Sequence, residues 1–115
     1  MGAGRLWLGG GVEAMITVDQ SKMTIQIKDA PAVRLGRADF RLLLYLASRP
    51  GHVRTRDQIL EALHGNDAEA FTDRSIDSLV KRLRRIVGAA AIDSIYGVGY
   101  SWSEAAPVTF VGVSV

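Results

Sequence analysis

At 115 residues, with a formal net charge of +2, 48% hydrophobic and 23% charged residues, the chain suits one globular domain and excludes both a second core and a mainly disordered state. It contains no cysteine, which rules out a disulfide framework and a thiolate metal site, and its 2 histidines are too few for an ordinary structural zinc site. No apolar run approaches the roughly 20 residues of a membrane-spanning helix, and the start MGAGRLWLGGGVEA lacks the apolar core of a secretory signal, so we expect a cytoplasmic protein without a membrane partner.

Residues 5–35 read as short strands separated by turns: RLWL, AMITVD, MTIQIKD and AVRL. Alternating and β-branched residues mark the second and third, and Asp19-Gln20-Ser21-Lys22 is a plausible hairpin connection. Pro31 fits a turn or the start of an edge strand. The expectation is a small antiparallel sheet, preceded by a segment, 1–13, that is either flexible or a first strand interrupted by glycines.

From Arg37 the period changes. In GRADFRLLLYLASRPG, Phe40, Leu43, Leu44 and Ala47 recur at helical spacing with Leu46 widening the stripe, and Pro50-Gly51 stops the helix. Thr55 followed by Arg56-Asp57-Gln58 fits a capping box, with a hydroxyl capping the next helix and a glutamine reaching back. Ile59, Leu60 and Leu63 then face inward until Gly65. The polar segment 66–72 connects to a third helix, 73–87.

That third helix carries the strongest functional signal. Ile76, Leu79, Val80, Leu83 and Val87 form one apolar stripe, and Arg74, Ser78, Lys81, Arg82 and Arg85 fall on the other side. A helix aliphatic inside and cationic outside can pack on a core and still enter the DNA major groove, which admits one helix. Asp73 is placed to satisfy free N–H groups at the helix start, and Arg84 lies toward Asp77, where a pairing is open to it. The alternative for the whole face is a solvated cationic surface.

After the Ala-rich break, IDSIYGVGYSW reads as two strands around Gly97-Val98-Gly99, whose glycines let the backbone approach a phosphate chain or take positive φ. Residues 104–115 form a tail ending in the nearly uncharged PVTFVGVSV. Its open fates are packing back on its own domain, adding a strand to the sheet, pairing with another chain at a sheet edge, or recognition as a C-terminus.

The order of sheet, three helices and hairpin, with RADFRLLLYLASRPGHVRTRDQILEAL, DRSIDSLVKRLRR and IDSIYGVGY, resembles the effector domain of OmpR/PhoB-type response regulators over residues 16–102. TRDQI and DRSIDSLVKRLRR are most similar to its ChvI-like branch. The resemblance implies an α+β winged helix-turn-helix, residues 14–103, with an N-terminal antiparallel sheet, three helices and a C-terminal β-hairpin wing. It implies a recognition helix in the major groove, a wing on the flanking minor groove or backbone, and a loop, 66–72, that meets RNA polymerase. Carried over to this chain, Arg74 contacts phosphate or base, Ser78, Lys81, Arg82 and Arg85 face the groove, Ser94 lies on the wing strand, and Tyr100 matches a wing tyrosine beside the backbone.

Three departures stand out. Tyr96 occupies a wing position where many members have arginine, His64 stands where tryptophan is common, and the segment after it is about one residue longer. A receiver domain, which typical regulators carry ahead of this module, has no counterpart here, so control by phosphorylation within this chain is not expected; a free-standing protein and a fragment both remain open. Tyr96 and Tyr100 each fit either a backbone contact or packing on the domain.

His52, His64 and Ser48 come without a nucleophile elbow, a metal-spaced histidine pair or a phosphate-binding glycine loop, so neither catalysis nor a cofactor is expected. The functional expectation is a sequence-specific regulator of transcription that binds double-stranded DNA at the nucleoid, on repeated half-sites, as a homodimer on DNA. The second class is a winged-helix module that binds polymerase or another regulator without selecting a DNA sequence.

Overall fold

Alternate burial of Ile16 and Val18 on β1 (Ile16–Asp19) follows from the two-residue period of a strand with one face on a core. In the computed structural model, which describes residues 15–64 and 73–112 and only the backbone of Asp73 and Arg74, β1 pairs antiparallel with β2 (Thr24–Ile27), and β2 with β3 (Val33–Arg34). The expected strand at residues 5–8, the segment 66–72 and residues 113–115 lie outside the described residues. The β1–β2 turn extends one residue beyond the expected connection, to Met23 at φ 55°. Asp19 organises it: its carboxylate accepts from the Ser21 N–H at 3.0 Å, the Ser21 hydroxyl at 2.7 Å and the Lys22 N–H at 3.2 Å.

The helices follow as read. α1 (Arg37–Ala47) buries Phe40, Leu42, Leu43, Leu46 and Ala47, with Leu44 half-buried at the edge of the stripe. Before α2 (Arg56–His64) the capping box is formed in both directions: the Gln58 N–H donates to Thr55 Oγ1 at 3.1 Å and the Thr55 N–H donates to Gln58 Oε1 at 2.9 Å. α3 (Asp73–Val87) buries Ile76, Leu79, Val80, Leu83 and Val87, the stripe expected from spacing. Burying one such side chain stabilises by roughly 1.5–3 kcal/mol, far more than the few tenths by which helix propensities differ, so packing decides the helix.

Two strands escape a local reading. β4 (Arg54–Thr55) pairs antiparallel with β6 (Gly99–Trp102), which pairs with β5 (Ile92–Ile95), giving a three-stranded sheet in the order β4-β6-β5. β7 (Val108–Val111) joins the first sheet beside β1, in parallel, so that Ile16 faces Val108 and Asp19 faces Val111. Of the fates open to the tail, residues 108–111 add a strand to their own sheet. Parallel neighbours need a long crossover, and here the helices and wing supply it. Trp102, 0% exposed, closes the core between them and donates its indole N–H to the Ala106 carbonyl at 2.7 Å.

Candidate nucleic-acid interface

The buried stripe of α3 fixes which residues face out. At 3.6 residues per turn, Ser78, Lys81 and Arg85 fall opposite Ile76, Val80, Leu83 and Val87, and all three are exposed. Among the described residues, the side chains of Lys81 and Arg85 engage no hydrogen bond or ion pair. Arg74 lies in the first turn of the same helix, but its side chain is outside the described residues.

Arg82 and Arg84 occupy the two flanks of this face. Arg82, with 59% of its side chain exposed, reaches α1 and donates from Nε at 3.2 Å and Nη2 at 3.1 Å to Asp39 Oδ1. Sequence spacing placed Arg82 on the outer side of α3; it is exposed there, at the border of the face, and tied to a carboxylate 12% exposed. Arg84 faces the wing. Its Nη2 donates to the Ile92 carbonyl at 2.7 Å and to Ser94 Oγ at 2.8 Å, fastening α3 to β5. The pairing with Asp77 left open to Arg84 by its position is not formed.

Asp77 is taken by other partners. Tyr100 donates its hydroxyl to Asp77 Oδ1 at 2.6 Å, and Arg56 donates from Nε to the same oxygen at 3.0 Å. The Tyr100 bond, reinforced by Arg56, holds the Asp77 carboxyl below its ordinary range. Burial, followed by the adjacent Asp77 charge, pushes the Tyr100 phenol up, and the hydrogen bond to Asp77 raises the Arg56 guanidinium. Arg56 and Arg84 lie over the Tyr100 ring, 5.3 and 5.7 Å from its centroid. Tyr100 is only 7% exposed and sits in the joint between wing, α2 and α3, packed on the domain, one of the two placements open to it from sequence.

The wing tip is built by a turn in which the Val98 N–H donates to the Ile95 carbonyl at 2.9 Å, with Gly97 at φ 75° where a side chain would be strained. Gly99 has a different reason. A Cβ there would sit 1.9 Å from the Arg54 carbonyl oxygen, so the close approach it permits is to β4, within the protein, rather than to phosphate. Tyr96 stands fully exposed at the tip beside Val98, 45% exposed. Ser94 is exposed too, although its hydroxyl already accepts from Arg84. Residues 92–102 contain one charged side chain, the exposed Asp93, and no lysine or arginine.

Sequence reasoning missed Asp39 and used Arg56 only as part of a helix start. A carboxylate in the first turn of a helix that otherwise buries apolar residues was the available signal for Asp39. Among the described residues no acidic or histidine group is arranged to hold a metal ion, and no helix is long and apolar enough to cross a membrane.

Residues 29–102 match the family profile described as transcriptional regulatory protein, C terminal. The chain is 44% identical over 70 residues to the transcriptional regulatory protein BaeR of Escherichia coli O6:H1, covering 56% of this chain and 29% of BaeR. It is 36% identical over 89 residues to the heme response regulator HssR of Staphylococcus epidermidis, covering 74% of this chain and 39% of HssR. The chain thus spans well under half the length of these curated relatives. Among solved structures, the DNA-binding domain of Bacillus subtilis CssR aligns with a TM-score of 0.67 at 32% identity over 76% of this chain and 98% of that one. The Klebsiella pneumoniae RstA DNA-binding domain, solved in complex with the RstA box, aligns with a TM-score of 0.64 at 25% identity over 80% of this chain and 98% of that one. The chain belongs to the C-terminal domain family of transcriptional regulatory proteins, the OmpR/PhoB-type winged helix-turn-helix DNA-binding domains.

Proposed function

We propose that this chain regulates transcription by laying the exposed face of α3 in the major groove of double-stranded DNA while the wing rests on the flanking minor groove or backbone. The observation that carries this reading is the pairing, on one helix, of a buried aliphatic stripe with the exposed Ser78, Lys81 and Arg85. Lys81, Arg85 and Arg74 neutralise phosphates and release counterions, and Arg82 and Ser78 reach base edges. Ser94 and Tyr96 are the wing's contacts. They act without charge, because the wing has no cation of its own. Tyr100 holds the wing at its angle to α3.

One such module covers roughly 600–1,000 Å² of protein surface, which favours two copies on adjacent half-sites. We extend the reading to a homodimer on repeated half-sites, to a polymerase contact through residues 66–72, and to action at the nucleoid in the cytoplasm.

The test is a salt titration of binding to a fixed duplex. Lys81→Ala/Arg85→Ala should flatten the plot of log affinity against log salt by about two units relative to the wild type, one for each phosphate no longer neutralised. An unaltered slope would remove both residues from the interface.

A further inference from the structure

We propose that Asp39 is a specificity-determining positioning residue that turns Arg82 so that the free end of its guanidinium reads one guanine; this rests on the DNA-reading role of α3 proposed above. A guanidinium has five N–H donors in a rigid plane. The Asp39 contact uses the lateral edge, Nε and Nη2, both on Oδ1. Three N–H groups remain, and two of them, one on each of Nη1 and Nη2, form the terminal edge. That fork matches O6 and N7 of guanine, the commonest specific contact made by arginine in the major groove.

The environment of the pair makes it an orienting device. Asp39 issues from the first turn of α1 and its side chain is 12% exposed, so it is largely buried at the base of the pair. Arg82 is 59% exposed and crosses from α3 to reach it. One end of the arginine is therefore anchored to the body of the domain and the other left to solvent. The ordering that base reading demands is complete before DNA arrives. Lys81 and Arg85 have no such anchor among the described residues, as suits cations that need only find a phosphate.

Asp39 also places a negative charge beside the DNA-facing surface, which opposes indiscriminate attraction to phosphate. Removing it should reduce discrimination without reducing affinity for random duplex. Damage to the fold would lower both together, so the two explanations separate.

The experiment measures binding of the wild type, Asp39→Ala, Asp39→Asn and Arg82→Lys to a selected site, to that site with each base pair replaced singly, and to unrelated duplex. For the wild type, replacing one G·C pair should weaken binding about tenfold or more. In Asp39→Ala and Arg82→Lys that penalty should shrink to within about twofold, with affinity for unrelated duplex unchanged or higher. Asp39→Asn keeps an acceptor without charge and should fall between. Arg82→Lys keeps the charge and loses the fork, which tests the reading arm, and Asp39→Asn, nearly unchanged in shape, carries the test of the positioning role if Asp39→Ala fails to fold. An unchanged penalty profile, or uniform weakening on every sequence, would overturn the assignment. A wild type that discriminates at no position would overturn the DNA-reading proposal itself, and this inference with it.

Discussion

Tyr100→Phe removes one hydroxyl and keeps the ring, which isolates the hydrogen bond that ties β6 to α3. That bond, 2.6 Å to Asp77 Oδ1, has a charged acceptor. In a shielded setting such a bond contributes roughly 1.5–3 kcal/mol. The Asp77 side chain is 51% exposed, so water replaces much of the missing bond, and Arg56 still donates to the same oxygen. The expected loss is therefore about 1 kcal/mol, equivalent to a fall of about 4–8 °C in Tm for a domain of this size. The pH dependence supplies the control. Asp77 has its pKa depressed below the ordinary 3.8, chiefly by Tyr100. A depressed carboxylate stabilises the fold above its unfolded value and ceases to do so as pH falls through its folded value. The difference between wild type and variant should thus be complete at pH 7 and close below pH 3.8. At the alkaline end the sign reverses. The Tyr100 phenol is raised above the ordinary 10.0 by burial and Asp77, so its contribution is present below 10.0 and lost as pH rises through the raised value; the variant lacks that loss. Melting curves followed by circular dichroism at several pH values would check this. Equal Tm at pH 7, or the same difference at pH 7 and in acid, would refute the reasoning by showing that the hydroxyl does not act through Asp77.

Gly99→Ala and Gly97→Ala should differ sharply although both lie in the wing. At Gly99 the new Cβ meets the Arg54 backbone oxygen at 1.9 Å, so β4 and β6 must part and more than about 3 kcal/mol is lost. At Gly97 nothing lies within 4 Å and only the positive φ is strained, for about 1 kcal/mol. Urea unfolding of the two variants would contradict this packing if their midpoints coincided. Thr55→Ala opens the capping box and should cost about 1 kcal/mol by the same assay; a change within about 0.3 kcal/mol would mean that water caps α2 equally well.

What the sequence made legible was local. The capping box at Thr55 and Gln58 and the stripe from Ile76 to Val87 depend on spacings of three and four residues, and the structure holds both. Pairings between distant segments were not legible. Asp39 meets Arg82 and Tyr100 meets Asp77 across helix and strand boundaries, so no periodicity announces them. Arg84 looked placed for Asp77 because both lie on one flank of α3; the wing strand, approaching along that flank, supplies the Ile92 carbonyl and the Ser94 hydroxyl instead. β6 hid the fate of Tyr100 because Gly99, Tyr100, Ser101 and Trp102 are all buried, which erases the alternation that separates an inner from an outer face. β4 is too short to show a strand pattern, and β7 finds its partner, β1, some ninety positions earlier in the sequence.

Whether the outer face of α3 reads DNA sequence is decided by selection from a random duplex pool at near-physiological salt. The wild type and Lys81→Ala/Arg82→Ala would be run side by side, with circular dichroism to establish that both are folded. The wild type should enrich a motif, repeated at a fixed spacing, and the double variant should not. Equal enrichment by both proteins, or none by a folded wild type, would contradict a reading role for that face.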